Sequence, residues 1–241
     1  MSFVDISCTV YTDALRQALC HEVKRLPCLT MDGRLMKITH FFDDTAGMCL
    51  ISLPIYKAST LTKVCFEITP TMLGFIKHCT SFDKMTFNVN KDGALSLLVQ
   101  NPCCALRYDF PIVHMIDDVS IEHTPEETVI EIPTNDWLEI WKTIPNNDEK
   151  NEVTISHQQG EKALTLKHSN GLWAAVIQLQ QGPVIYPSLS FTCPVSTAKL
   201  SFADCLSKDT ISFLHFLKNT VLCWSSSNTS VYLAPSIVDK S

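Results

Sequence analysis

Met115-Ile116-Asp117-Asp118-Val119-Ser120-Ile121-Glu122-His123-Thr124-Pro125-Glu126-Glu127 is acidic, has no regular hydrophobic period and holds one proline. Such a stretch reads as an exposed linker, and the sequence on its two sides follows one order of elements. Downstream, strand Thr128–Ile132 leads into helix Thr134–Ile144, then strands Glu152–His157 and Ala163–His168 around Gln159-Gly160, then a strand at Leu172–Leu179. Ser188–Cys193 is another strand, and Ser196–Leu206 a short helix with Leu200, Ala203 and Leu206 at helical spacing. Thr210–Phe216, Thr220–Trp224 and Ser230–Leu233 close the chain as β segments.

Upstream, Thr12–Cys20 predicts an amphipathic helix, with Leu15, Ala18 and Leu19 on one face and Arg16 and Gln17 on the other. Strands are expected at Pro27–Met31, Leu35–Thr39 and Met48–Leu53, with a tight turn at Asp32-Gly33. Thr69-Pro70 opens a second helix, Thr71–Cys79: proline suits the first helical position, and the threonine hydroxyl can cap the exposed amides. Strands Lys84–Asn90 and Ala94–Gln100 flank Lys91-Asp92-Gly93. Pro133-Thr134-Asn135-Asp136 resembles Thr69-Pro70-Thr71 as a helix opening. The expectation is an α+β protein of two similar domains, 1–112 and 128–241, joined by a loop at 113–127.

With 46% hydrophobic and 18% charged residues among 241, the chain can bury a substantial core. A net charge of −6 argues against a nucleic-acid binder that works by bulk positive charge. It leaves room for a protein that is acidic outside and mildly basic on one inner surface. No run of about 18 apolar residues occurs, so no membrane span is expected. The opening MSFVDISCTVYTD lacks the basic start and apolar run of a secretory signal.

Eleven cysteines are scattered through apolar segments without a Cys-x-x-Cys pair, and their odd number suits a disulfide framework poorly. Buried, reduced thiols are expected. None of the eight histidines forms a zinc motif. His157 and His168 flank a hairpin where they could face each other, but two ligands do not make a site. There is no glycine-rich phosphate loop and no Gly-x-Ser-x-Gly elbow. Asp43-Asp44 and Asp117-Asp118 read as solvated turn carboxylates, and Cys103-Cys104 as an apolar pair entering a strand. No catalysis, cofactor or metal is expected.

The C-terminal Val231-Tyr232-Leu233-Ala234-Pro235-Ser236-Ile237 resembles the ending of PCNA-like sliding clamps, a tyrosine followed by Leu-Ala-Pro, one residue and Ile. Phe110–Ile132 resembles that family's interdomain connecting loop, including its acidic tone and a Pro-Glu before the second domain. Cys65–Leu98 resembles the first domain's helix and hairpin, and Cys193-Pro194-Val195 the entry to the last helix. In this order they cover nearly the whole chain without a large insertion, at an identity low enough to suggest a divergent, viral-type clamp. The resemblance implies the DNA-clamp fold, two similar domains each with two short helices packed on antiparallel sheets. It also implies a closed ring, usually a homotrimer, that encircles duplex DNA and acts as a DNA polymerase processivity factor in replication and repair. The implied setting is the nucleus or a viral DNA replication site.

On that resemblance, helix cations line the hole: Arg16, Lys24, Lys77, Lys142, Lys199 and Lys208. Their spacing alone reads more readily as ordinary solvated helix charges, and the resemblance reverses that reading. Glu139 departs from the family pattern, where a basic residue is usual. Ring closure would pair edge strands near Ala105–Phe110 and Leu172–Leu179 of neighbouring subunits, through Ala105, Tyr108, Phe110, Trp173, Val176 and Ile177. Without the resemblance, the apolar run Trp173–Ile177 reads as readily as a covered interior strand. Client proteins, the polymerase among them, would insert a peptide with a glutamine and two aromatics into an apolar pocket. The implied lining is Phe42, Met48 and Leu50, then Ile116, Val119 and Ile121 of the loop, then Tyr232, Leu233, Ala234 and Pro235. Those loop residues could instead simply tack the loop to its domain. A clamp loader is the further implied partner. The alternative is a clamp-fold subunit with another role, in a checkpoint ring or as a transcription factor. The Tyr-Leu-Ala-Pro ending favours the replicative clamp and the weakly basic helices favour the alternative.

Overall fold

The computed structural model describes residues 6–19, 26–32, 34–43, 47–59, 63–90, 94–110, 128–144, 151–179, 186–202, 205, 207–217 and 221–235. The chain divides into two compact units, Met1–Phe41 with Leu50–Ser120, and Phe42–Cys49 with Ile121–Ser241. Both are α+β, and every strand pairing described is antiparallel.

In the first unit, β1 (Ile6–Tyr11) alternates strictly: Ile6, Cys8 and Val10 are buried while Ser7, Thr9 and Tyr11 face outward. That period of two marks a strand with one face in the core. Next come α1 (Thr12–Ala18), β2 (Cys28–Met31), β3 (Leu35–Asp43), β4 (Gly47–Pro54), β5 (Lys57–Ala58) and β6 (Val64–Glu67), with the end of β3 from Phe42 and the start of β4 up to Cys49 counted in the second unit. Then follow α2 (Pro70–His78), β7 (Lys84–Val89), β8 (Leu95–Gln100) and β9 (Ala105–Phe110). α2 starts as its sequence dictates, since Thr69 Oγ1 accepts from the Met72 amide at 3.2 Å and Pro70 occupies the first turn. Between β2 and β3, Asp32 Oδ1 accepts from the amides of Arg34 and Leu35 at 3.1 and 2.8 Å. Burial alone would raise the Asp32 carboxyl. The Leu35 and Arg34 amides and the charges of Lys37 and Lys63 outweigh it and hold the carboxyl below its ordinary value. The five-stranded sheet runs β5-β1-β7-β8-β9, and β2 pairs with both β3 and β6.

The second unit repeats that order with β10 (Thr128–Pro133), α3 (Thr134–Thr143), β11 (Glu152–His157), β12 (Ala163–His168), β13 (Ala174–Gln178) and β14 (Leu189–Pro194). α4 (Val195–Phe202), β15 (Ile211–Leu217), β16 (Val221–Ser225) and β17 (Thr229–Leu233) complete it. Strands β13-β12-β11-β14 form one sheet, while β10 pairs with β15, β15 with β16 and β16 with β17. Its core is aromatic: Trp137 and Trp141 of α3 meet Phe202 of α4 at ring-centroid distances of 5.1 and 5.4 Å, and Trp224 of β16 lies 6.0 Å from Phe202.

The repeat extends to individual hydrogen bonds. In each unit the first strand pairs with the strand after the second helix, β1 with β7 and β10 with β15. Thr12 N donates to Asp83 O and Thr134 N to Thr210 O, each at 3.0 Å, and both threonines are fully buried. Ile68 N donates to Pro27 O at 2.9 Å and Val195 N to Asn151 O at 2.8 Å, so the second helix is hung in the same way twice.

Some boundaries differ from expectation. β3 runs on to Asp43 because Thr39–Phe42 continue the alternating pattern, with Phe42 buried. β13 is confined to Ala174–Gln178 because Gly171, at φ +68°, turns the chain and leaves Leu172 exposed. α4 begins one residue earlier than expected, at Val195, and Ala203 and Leu206 lie outside the described residues. The two-residue β5 carries no sequence signal of its own.

Two glycine substitutions test this packing in opposite directions. A Cβ on Gly47 would sit 2.9 Å from Tyr232 O and 3.1 Å from the Leu233 side chain, whereas one on Gly74 in α2 meets nothing within 4 Å. Gly47→Ala should destabilise by about 1–3 kcal/mol, and Gly74→Ala should stabilise by about 0.5–1 kcal/mol, both read by urea unfolding. Asp32 supplies a pH test. Because its folded-state pKa lies below the unfolded one, its contribution is present above the unfolded value and lost as pH falls through the folded value. Asp32→Ala should therefore lower stability at pH 7 and matter little near pH 2, measured by thermal melts across pH.

Candidate nucleic-acid and partner-binding surfaces

The helices place their cations in two ways. On α1, Thr12, Leu15 and Ala18 are buried, and Arg16 lies beside that face, half-buried. Its Nε donates to Lys77 O at 3.2 Å and its Nη1 to Asp13 Oδ1 at 3.4 Å. A guanidinium on the last carbonyls of α2 is a favourable helix end, so Arg16 joins α1 to α2 rather than standing free. Lys199 does the same in the second unit, its Nζ donating to Ile144 O at the C-terminus of α3. Lys77 in the last turn of α2, Lys142 in the last turn of α3 and Lys208 beyond α4 are exposed. Glu139 is exposed on α3 three residues before Lys142, at a spacing that sets the two charges side by side. Lys24 lies outside the described residues.

β9 and β13 are each the outermost strand of their sheet. β9 is exposed at Ala105–Asp109 and buried only at Phe110. The Tyr108 ring lies tilted against Phe75 of α2 and against Phe110, at centroid distances of 5.2 and 4.7 Å. On β13, Val176 is 57% exposed while Ile177 is buried. Trp173, just before it, lies 5.4 Å from the His168 ring. On β13 phase separates exposed Val176 from buried Ile177, whereas on β9 Tyr108 shares the face of buried Phe110 and Ala105 is exposed on the opposite face.

Of the expected partner pocket, Ile116, Val119 and Ile121 lie outside the described residues. Phe42, Tyr232 and Leu233 are buried, Met48, Leu50 and Ala234 half-buried, and Pro235 exposed. Tyr232 and Leu233 are covered in part by Gly47, whose close approach admits no side chain.

The first unit carries two further features that the sequence reading passed over. Tyr11 and Tyr56 are exposed, their rings 5.8 Å apart edge to face, with Lys84 Nζ 3.7 Å over the Tyr56 ring. The signal was Tyr11 on the outward phase of β1, at a helix N-cap where a small polar residue is favoured. An open pocket of about 580 Å³ is lined by Asn88, Asn90, Ser96, Arg107 and Asp109 over a floor of Val89, Leu95 and Phe110.

Cys8, Cys28, Cys49, Cys65, Cys79, Cys193, Cys205 and Cys223 are buried, and Cys103 and Cys104 are exposed in the turn before β9 rather than packed as an apolar pair. Burial, with Asp32 nearby, pushes the Cys8 thiol up to about 12, and burial likewise carries Cys193 to about 12 and Cys28 to about 11. A hydrogen bond with the Cys205 thiol, and burial, hold Cys49 well above the ordinary value. Such thiols stay protonated and inert at neutral pH. His157 and His168 sit at opposite ends of their hairpin, His157 opposite Leu164 and His168 opposite Val153, so they do not face each other. The His157 ring nitrogens lie 3.0 Å from Pro187 O and 3.1 Å from Glu161 O, a structural role. Among the described residues no three His, Cys, Asp or Glu cluster to hold a metal, and no helix is long and apolar enough to cross a membrane.

In a Cys20→Ser variant, native protein treated with Ellman's reagent should show two fast thiols, Cys103 and Cys104. The eight buried ones should react at least about a hundredfold more slowly until denaturant is added. No protein-family model and no curated protein matches this sequence.

Proposed function

We propose that the chain is a sliding-clamp subunit, which forms a ring around duplex DNA and tethers a DNA polymerase and other clients to it. The observation that carries this reading is a pair of strand edges left uncovered by the internal repeat. In the second unit, Gly47–Cys49 of β4 group with β17, Gly47 lying against Tyr232 and Leu233. Register makes β9 the equivalent of β17, since Phe110 opposes Leu95 as Leu233 opposes Leu222. By order, β13 is the equivalent of β4. Whereas β17 and β4 are interior to their sheet, these counterparts, β9 and β13, each lie at a sheet end among the described residues, as β5, β6, β10 and β14 also do.

A second copy supplies what each edge lacks: β13 of one subunit beside β9 of the next. Such a contact is head-to-tail, and repetition closes it into a ring when the rotation permits. The family resemblance supplies three subunits as the expected number. Lys77, Lys142 and Lys208 then provide a sparse positive field for phosphates without any base reading, which suits sliding. Clients bearing a glutamine-and-aromatics peptide, and a loader that opens the ring, complete the proposed set of partners, in the nucleus or a viral replication site. The reading assigns the chain no catalytic step. Glu139 beside Lys142, with Arg16 and Lys199 held at helix ends, favours one second reading, a clamp-fold subunit of a heteromeric ring with a non-replicative role.

Light scattering over a concentration series tests the proposal. The expected mass is three times the 27.0 kDa of one chain, and Val176→Asp, at an exposed edge position, should reduce it to one chain that keeps the far-ultraviolet circular dichroism of the folded protein while losing the stabilisation that assembly supplies. A wild-type protein that stays monomeric at every concentration would remove the self-assembling ring and leave the heteromeric reading.

A further inference from the structure

We infer that the outward face of the five-stranded sheet in the first unit is a binding surface for single-stranded nucleic acid, with Tyr11 and Tyr56 as its stacking platform. This goes beyond the encircling of duplex DNA and stands on different residues. β1 and β7 pair with Tyr11 opposite Lys84, Thr9 opposite Thr86 and Ser7 opposite Asn88, so these six side chains share one face. Tyr56 joins them because its amide donates to Thr9 O at 2.8 Å. The two tyrosines are 49% and 58% exposed, and among the described residues neither hydroxyl has a hydrogen-bond partner.

The chemistry of the cluster selects its ligand. Lys84 over one face of Tyr56 draws electron density toward itself, which favours an electron-rich base against the opposite face. Aromatic faces serve unpaired bases, because bases inside a duplex offer only their edges in the grooves. The same sheet face then leads to the open pocket, where Asn88, Ser96 and Arg107 present amide, hydroxyl and guanidinium groups. Lys84 and Asn88 are four residues apart on β7, about 13 Å, a separation that a short oligonucleotide spans. Arg107 is held at 2.7 Å by Asp109, yet both side chains are about two-thirds exposed, so the pair is weak and the guanidinium is available to a phosphate. Asp13 and Asp83 flank the tyrosine end, against Lys57 and Lys84, which keeps the attraction modest and places the weight on stacking.

Fluorescence anisotropy with fluorescein-labelled (dT)12 at about 50 mM salt tests this. Wild-type protein should bind the oligonucleotide, and unlabelled duplex of equal length should compete poorly. Tyr11→Ala with Tyr56→Ala should weaken binding by at least about tenfold, and Arg107→Gln by a smaller factor. All three positions are exposed, and unchanged circular dichroism melts confirm that the variants fold. Loss of binding on Lys77→Ala with Lys142→Ala but not on the tyrosine variant would overturn the proposal. So would the absence of oligonucleotide binding, or tyrosine-dependent binding of a proline-rich peptide in its place. The outcome is separable from ring formation: a monomer that binds (dT)12 through its tyrosines upholds this surface while the clamp reading fails, and a ring indifferent to the tyrosines does the reverse.

Discussion

Each unit depends on one long-range antiparallel pairing, between its first strand and the strand that follows its second helix. β1 meets β7 through six residue pairs and β10 meets β15 through six. Everything between those partners, two helices and four or five strands, is a loop that the pairing closes. The Thr12 and Thr134 amides reach across at the helix starts, so the pairing also fixes where α1 and α3 begin. Closing such loops costs chain entropy before any local contact compensates, and folding of each unit is expected to be slow relative to a helical protein of its size.

Much of this was legible in the sequence. Strict alternation in Lys84–Val89 and Glu152–His157 identified half-buried strands, and Thr69-Pro70 identified a helix start that the Thr69 cap realises. What was not legible was decided by tertiary contacts. The extension of β3 to Asp43 depends on which faces of Phe41 and Phe42 find cover. The end of β13 depends on a glycine at positive φ. The division of edge residues into outward Val176 and inward Ile177 follows from phase, which an uninterrupted apolar run such as Trp173–Ile177 conceals.

The candidate surfaces were legible less evenly. The family resemblance singled out the helix cations but not their partners, and two of those described are held by backbone carbonyls at helix ends. Arg16 serves α2 and Lys199 serves α3, an arrangement that rigidifies helix pairs while reducing the charge offered outward. With a net charge of −6, long-range attraction to a polyanion is weak. The aromatic platform escaped notice because Tyr11 and Tyr56 are 45 residues apart and meet only when β5 lies along β1.

The aromatic core of the second unit has a consequence for how this protein is observed. All four tryptophans, Trp137, Trp141, Trp173 and Trp224, lie in that unit, three of them fully buried, while the first unit holds none. Intrinsic tryptophan emission therefore reports one half of the molecule and is silent about the other. A single smooth emission transition does not establish that the two units unfold together, and the first unit must be followed by its tyrosines or by backbone signals.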